Sequence, residues 1–156
     1  MVRPSAGLLM HRIAHGVIEV LLVHPGGPFW AHKNYGAWSI PKGEYSADEK
    51  PLDAAIREFH EETSCRADGP FIPLTQVMQA SGKVITAWAV KGDFDPALLK
   101  CNTFSIEWPK GSGRLQEFPE VDRAAWFDLA EARRRINPGQ VGLLDELSAK
   151  LKVQSG

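Results

Sequence analysis

Residues 43–65 carry the most specific pattern in the chain, and they read GEYSADEKPLDAAIREFHEETSC. Over Pro51–Thr63 the apolar side chains recur at intervals of three and four residues, which predicts an amphipathic helix with one buried stripe. A proline suits the first helical position, where its missing N–H costs no hydrogen bond. Glu58, Glu61 and Glu62 follow the i, i+3, i+4 spacing, so they share another side of this helix.

Three carboxylates on one side of a helix repel one another, by roughly a few tenths of a kcal/mol for each exposed pair. A divalent cation would turn this repulsion into attraction, because Mg²⁺ and Mn²⁺ prefer hard oxygen ligands. A solvated acidic face is the alternative interpretation, since most charge runs lie on the surface. The helical spacing by itself leaves both interpretations open.

The residues around the acidic side belong to a longer pattern. Its fixed positions in this chain are Gly43, Glu49, Arg57, Glu58, Glu61 and Glu62, with Phe59 and Cys65 in two apolar slots. This order and spacing resemble the Nudix box, the signature of the Nudix hydrolase family. Six of the seven fixed positions match, and Ser64 replaces the last glycine of the pattern. The resemblance extends over residues 5–152.

The resemblance implies an α/β fold, namely a Nudix-type α/β/α sandwich with a mixed central sheet and a loop–helix–loop catalytic box over residues 43–65. A length of 156 residues without repeats or linkers favours a single domain over residues 1–156. The pattern of apolar residues predicts strands at 5–11, 17–24, 38–40, 72–77, 83–90, 104–108 and 124–127. It predicts further helices at 128–135 and 138–152, and a loop at 109–119.

A metal-dependent reaction follows from the same resemblance. Most Nudix proteins are pyrophosphohydrolases that use Mg²⁺ or Mn²⁺ and a metal-activated water to cleave a phosphoanhydride bond. Carried over to this sequence, Glu61 and Glu62 would be the principal metal ligands. Glu58 would be a further ligand or the base, and the backbone carbonyl of Lys42 would be another ligand.

The sequence leaves two further points of the catalytic site open. One is the partner of Arg57, and the other is the identity of an acidic residue outside the box. Arg57 would hold the acidic side of the helix in place through an ion pair with Glu49 or Glu44. Many family members add an acidic residue from a loop outside the box. Glu120 lies at the spacing at which similar sequences often place it, and Glu117 is the alternative.

The substrate is expected to be a small nucleotide, with dinucleoside polyphosphates of the diadenosine tetraphosphate type as the narrow prediction. Family members with Pro-Lys-Gly at the entrance to the box often act on diadenosine polyphosphates, diphosphoinositols or RNA 5′ ends. Lys42 is a candidate phosphate contact. The other candidates are aromatic residues that could stack on a base and loop cations that could bind phosphate: Trp30, Tyr35, Phe104, Trp108, Lys33, Lys83, Lys110 and Arg114.

Overall charge and cysteine content limit the remaining function classes. With 18 basic and 19 acidic residues the net charge is −1, which argues against a general polyanion-binding or polybasic membrane protein. Nucleic acid is therefore expected only at a local site, and the family resemblance implies that such a substrate would be an RNA 5′ end. Two cysteines, without a targeting or membrane-spanning segment, favour the cytoplasm.

Alternatives to the leading prediction are a pyrophosphatase for ADP-ribose, another NDP-sugar or a modified NTP, and a nucleotide-binding sensor without turnover. The oligomeric state cannot be predicted from this sequence.

Overall fold

The computed structural model describes residues 3–155, with side chains through residue 152. Its strands are β1 (Ser5–Ala14), β2 (Val17–Pro25), β3 (Lys42–Glu44), β4 (Phe71–Pro73), β5 (Val77–Met78), β6 (Val84–Lys91), β7 (Thr103–Glu107), β8 (Leu115–Pro119) and β9 (Val121–Asp128). Its α-helices are α1 (Pro51–Thr63), α2 (Leu129–Arg135) and α3 (Val141–Ser155), and short 3₁₀ helices span Pro96–Leu98 and Pro138–Gln140.

Strand β1 lies at the centre of a mixed sheet with the order β4-β6-β1-β2-β9. The β1–β6 pair is parallel, whereas β1–β2, β2–β9 and β4–β6 are antiparallel. The short β3 pairs with the first residues of β1, and β5 pairs with β6. A tight turn at His15 and Gly16, both with positive φ, joins β1 to β2. The mixed sheet expected from the sequence is confirmed.

The two faces of the sheet are covered by different helices. Alternating residues of β1 point to opposite faces, as the period of a strand requires. One face packs against α1 in a cluster that includes Ala6, Leu8, Met10, Leu21, Ala54, Ala55 and Phe59. The other packs against α2 and α3 through Leu9, Val20, Leu22, Ala132, Leu143, Leu144 and Leu147. These two clusters make the α/β/α sandwich, so that prediction is confirmed.

The strand predicted at 72–77 is interrupted. Two short strands, β4 and β5, occupy this region and both pair with β6. Between them the Thr75 N–H donates to Glu146 Oε1 of α3 at 2.6 Å instead of to the sheet. A carboxylate from a distant helix therefore ends the ladder locally, and the sequence pattern gives no sign of it.

The prediction of a loop at 109–119 is wrong for Leu115–Pro119. These residues form β8, which pairs with β7 in a separate two-stranded sheet. Leu115, the first residue of β8, is 77% exposed. Because β8 has no buried face, it lacks the alternation by which strands are recognised.

The prediction of a strand at 38–40 is also wrong. Trp38 and Ser39 form only isolated bridges, to Ile136 and Val23. The Ile40 N–H donates to the side chain of Gln140 at 3.0 Å, which interrupts the ladder. Regular pairing resumes only in β3.

The C-terminal helices follow the prediction with shifted starts. Asp128 caps α2, and its carboxylate accepts from the Glu131 N–H at 2.8 Å. The helix predicted at 138–152 begins as a 3₁₀ turn, and regular α-helix starts at Val141. No helix within residues 3–155 has the length and apolar character required to cross a bilayer.

Helix α1 ends at Ser64, the residue that replaces the last glycine of the Nudix box. Ser64 adopts the left-handed conformation, with φ 66° and ψ 11°, and its N–H donates to the His60 carbonyl at 2.7 Å. Its hydroxyl donates to the Lys100 carbonyl at 2.9 Å. The serine therefore keeps the glycine turn and adds a hydrogen bond at an exposed position.

We expect Ser64→Gly to raise the free energy of unfolding by about 1 kcal/mol, because glycine adopts the left-handed region without a Cβ penalty. Urea denaturation measures the change. Ser64→Ala is the matched control, since it removes the hydroxyl but keeps the Cβ, and it should be less stable than the wild type. If Ser64→Gly proves less stable than Ser64→Ala, backbone strain at this position is unimportant.

Candidate active site

Helix α1 presents its acidic side at the edge of the sheet with graded burial. Ala54, Ala55 and Phe59 face the core and fix the rotation of the helix. The Glu58 side chain is 14% exposed, whereas that of Glu61 is 39% exposed. The acidic side is thus partly withdrawn from water, unlike a solvated surface stripe.

Arg57 ties the acidic side together. Its Nε and Nη2 donate to the two carboxylate oxygens of Glu49 at 2.8 Å each. Its Nη1 donates to Glu58 at 2.7 Å and lies 3.3 Å from Glu61. Of the two partners considered from the sequence, Glu49 is the one that Arg57 contacts, while Glu44 lies 3.8 Å from Lys83.

The strand that enters the box packs directly on these carboxylates. Gly43 lies so close to the Glu58 carboxyl group that a Cβ at position 43 would overlap it. The Lys42 N–H donates to Glu62 Oε1 at 3.3 Å. The absence of a side chain at residue 43 therefore brings the backbone of β3 against the acidic side of α1.

Glu120 approaches the same end of the sheet from the segment before β9. It connects β8 to β9, and its carbonyl accepts from the Gly26 N–H at 3.0 Å. A cavity of about 110 Å³ is lined by Lys42, Glu62 and Glu120 together with Val23, Pro25, Ser39, Ile40 and Val121. Glu117 lies elsewhere, on β8, where it accepts from the Thr103 hydroxyl at 2.8 Å.

Gly26 is a contributor to this site that the sequence analysis did not single out. A Cβ on Gly26 would overlap the Pro119 carbonyl, so only glycine lets the end of β2 lie against the segment before Glu120. The glycine pair Gly26-Gly27 indicates that another part of the chain could approach the backbone closely here. A sequence does not show which distant segment that is.

Crowding of these acidic groups changes their proton affinities. Burial is the main reason that the pKa of Glu62 rises to about 8; Lys42 opposes this rise, and Glu58 and Glu120 add to it. Burial also raises the pKa of Glu58 and of Glu120 above the ordinary value. Burial lowers the pKa of Lys42, against the opposing effect of Glu62. The site therefore favours added positive charge, either as protons or as a cation.

The donor set fits a hard divalent cation by its chemistry. It offers the carboxylates of Glu58, Glu61 and Glu62, with Glu120 facing them. Within residues 3–155, no three His, Cys, Asp or Glu side chains are already gathered closely enough to form a metal site. Glu58 and Glu61 instead contact Arg57.

The predicted substrate residues lie in two different environments. We call residues 26–37 the aromatic loop, because they contain Phe29, Trp30 and Tyr35. The Lys33 ammonium lies 5.0 Å from the centre of the Trp30 ring. Tyr35 instead faces Arg134 and Arg135 of α2, at 5.1 and 4.7 Å.

Two aromatic candidates from the hairpin formed by β7 and β8 pack against the aromatic loop. Trp108 contacts Phe29 edge-on, with ring centres 5.5 Å apart. Phe104 lies where a Cβ on Gly27 would meet its ring. The aromatic loop and the hairpin therefore touch at two points.

One of the loop lysines predicted to bind phosphate has an acidic neighbour. The ammonium of Lys83 lies 3.8 Å from the Glu44 carboxylate.

Comparison with known proteins agrees with this geometry. The family model described as the NUDIX domain matches residues 1–147. The chain therefore belongs to the Nudix family, as the pattern of residues 43–65 indicates. The enzyme class predicted from the sequence, a hydrolase of pyrophosphate bonds, agrees with this membership.

Solved structures show the same fold. A C. elegans Ap4A hydrolase in a binary complex has a TM-score of 0.65 and 24% identity, covering 95% of this chain and 98% of its own. The NUDIX domain of Shewanella oneidensis NrtR, complexed with ADP ribose, has a TM-score of 0.66 and 16% identity, covering 97% and 89%. At these identities the similarity establishes the fold alone.

A short segment resembles a curated relative more strongly. The RNA pyrophosphohydrolase of Bartonella tribocorum (strain CIP 105476 / IBS 506) is 57% identical over 30 residues. This match spans 19% of the present chain and 17% of the relative.

The raised pKa of Glu62 predicts a pH-dependent stability in the absence of metal. The folded protein keeps the Glu62 proton up to about pH 8, whereas the reference value for a free carboxyl is 4.5. Between these values the folded state binds more protons, so stability falls as the pH rises. Glu62→Gln cannot ionise and should give a flatter curve.

Thermal unfolding in EDTA between about pH 5 and pH 9 measures this difference. Near pH 8, added Mn²⁺ should raise the Tm of the wild type more than that of Glu62→Gln. A variant curve as steep as the wild-type curve would show that Glu62 is not the group responsible.

Proposed function

We propose that this protein is a Mg²⁺- or Mn²⁺-dependent pyrophosphohydrolase that acts on a nucleoside polyphosphate, with dinucleoside polyphosphates as the preferred class. One observation carries the proposal. Glu120, from outside the box, lines the same small cavity as Lys42 and Glu62 from inside it. A cation-binding group and an independent acid thus face one space, which is the arrangement that metal-assisted hydrolysis of a phosphoanhydride needs.

In this proposal Glu61, Glu62 and the Lys42 carbonyl hold the cation, with Glu58 as a further ligand. When bound, the cation neutralises phosphate oxygens and lowers the pKa of a bound water. Glu62 is suited to holding it because burial makes its unpaired negative charge unfavourable. The Lys42 ammonium lies among the same carboxylates and would contact a substrate phosphate.

Arg57 has a positioning role in the proposal. It contacts Glu49 through two hydrogen bonds and Glu58 through a third, so it restrains the carboxylates before a cation is present. The bidentate bond to Glu49 leaves Nη1 directed at the acidic side of α1. Arg57 would then keep its bond to Glu49 when Glu58 and Glu61 turn toward the cation.

Glu120 is the proposed acceptor of the proton from the attacking water. Its burial and its proximity to Glu61 raise its pKa, which brings its proton affinity closer to that needed near neutral pH. Its backbone is fixed on both sides, since its N–H donates to the Asn102 carbonyl at 2.9 Å and its carbonyl accepts from Gly26. A fixed backbone restrains the direction of the carboxylate.

The substrate class rests on the aromatic loop and on the relatives. Trp30 is 39% exposed and has Lys33 beside it, so the pair could receive a base and a neighbouring phosphate. An Ap4A hydrolase and an RNA pyrophosphohydrolase are among the similar proteins. RNA 5′ ends are therefore included in the proposal. We also propose a cytoplasmic location, because free thiols such as Cys65 and Cys101 persist in that compartment.

ADP-ribose, another NDP-sugar or a modified NTP is the second candidate substrate class. The NrtR domain, which has this fold, was solved in complex with ADP ribose. In the present protein Tyr35 is 57% exposed and lies near the guanidinium groups of Arg134 and Arg135.

A panel of substrates tests the proposal. We expect diadenosine tetraphosphate to be hydrolysed faster than ADP-ribose, the common NTPs or 5′-triphosphorylated RNA, with Mg²⁺ or Mn²⁺ and products resolved by chromatography. Glu61→Gln should lower the rate by at least about 10²-fold because it removes a charged ligand. Preference for ADP-ribose would support the second class. Thermal stabilisation by a nucleotide without turnover would contradict the enzyme assignment and indicate a sensor.

The role of Glu120 has a matched control on the adjoining strand. Glu120→Gln should reduce kcat by about 10²- to 10⁴-fold, since it removes the proton acceptor while keeping the side-chain shape. Glu117→Gln alters a carboxylate that is bonded to Thr103 outside the cavity, so kcat should change by less than about twofold. Equal losses in the two variants would contradict the assignment of Glu120.

A further inference from the structure

A fully buried histidine lies between the aromatic loop and the strand that follows Glu120. His24, near the end of β2, has no solvent exposure. Its Nδ1 lies 2.8 Å from Asp122 Oδ1, and its Nε2 lies 2.6 Å from the Lys33 carbonyl oxygen. The ring also meets Trp38 edge-on, with centres 5.2 Å apart. Every polar atom of this side chain therefore has a partner.

The chemistry of the two partners determines the role of each nitrogen. The Lys33 carbonyl oxygen can only accept a hydrogen bond, so His24 Nε2 is the donor in that contact, and Nδ1 is the nitrogen that faces Asp122. The position gives no access to water, which means that loss of either bond leaves a buried polar atom unpaired. The side chain thus connects two specified oxygens rather than filling space.

The two oxygens that His24 contacts belong to segments that carry residues of the proposed active site. Lys33 lies in the aromatic loop beside Trp30, and Asp122 follows Glu120 by two residues on β9. The ends of the loop have other tethers, since the Gly26 N–H donates to Glu120 and the Gly36 N–H donates to Arg134. The bond from His24 fixes a point between these ends.

We propose that His24 is a positioning residue, whose hydrogen bond to the Lys33 carbonyl holds the aromatic loop at the correct distance from Glu120 for substrate binding. Asp122 orients the ring so that Nε2 points at the loop. The substrate-binding part of this inference rests on the function proposed above. The restraint on the loop does not.

Two amide substitutions separate the bonds of His24. The amide nitrogen of glutamine corresponds in reach to Nε2, and that of asparagine corresponds to Nδ1. His24→Gln can therefore keep the bond to Lys33, and His24→Asn can keep the bond to Asp122. Both variants lose the ring that packs on Trp38, so that loss is common to the pair.

We expect His24→Asn to raise the KM for diadenosine tetraphosphate by about tenfold, with kcat changed by less than about threefold. His24→Gln should restore most of the wild-type KM. Amide hydrogen exchange supplies a readout that needs no substrate. Residues 29–35 should exchange faster in His24→Asn than in His24→Gln.

Equal KM values and equal exchange rates in the two variants would overturn the proposal, because they would leave His24 with a packing role only. If the wild type fails to cleave the dinucleotide, the proposed function fails, and hydrogen exchange in residues 29–35 alone decides the restraint on the loop. Faster exchange confined to His24→Asn would then still support it.

Discussion

The site depends on the balance between repulsion among crowded carboxylates and the single guanidinium that holds them. Helix α1 brings Glu58 and Glu61 together because its apolar side must face the sheet. Arg57 offsets part of their repulsion, and its bidentate bond to Glu49 links the helix to the loop that precedes it. The same contacts explain why glycine precedes this loop, since Glu58 occupies the space that a side chain at position 43 would need.

The remaining components reach the site through the ends of the strands. Strand β3 pairs with the start of β1, which fixes Lys42 relative to the sheet. Strand β2 ends at Pro25 next to the start of β9. Glu120 and Glu62 therefore meet across the end of one sheet, although one belongs to the catalytic box and the other does not. In the proposed function, residues on loops would contact the substrate, and the sheet would set the spacing between those loops.

The sequence predicted the parts whose pattern is local. The box and its helix follow from spacings within residues 43–65, whereas the same spacings left both Glu49 and Glu44 open as partners of Arg57. The sandwich was implied by the resemblance to the Nudix family, and apolar alternation predicted most of its strands. Strand β8 escaped prediction because its residues are exposed and its pairing gives no periodic signal. The position of Tyr35 against α2 and the bonds of His24 depend on contacts between distant segments, for which a single sequence contains no direct information.

The central position of β1 has a consequence for the way the chain acquires its structure. Ser5 lies beside Ile85, so the parallel partner of β1 is synthesised 80 residues after it. Closing so long a loop is slow compared with forming a hairpin, and contacts of this kind dominate folding times. A nascent chain that carries the β1–β2 hairpin consequently exposes an unpaired apolar strand edge to its surroundings. The edge of β1 that pairs with β6 therefore stays open until the chain has been synthesised as far as Lys91.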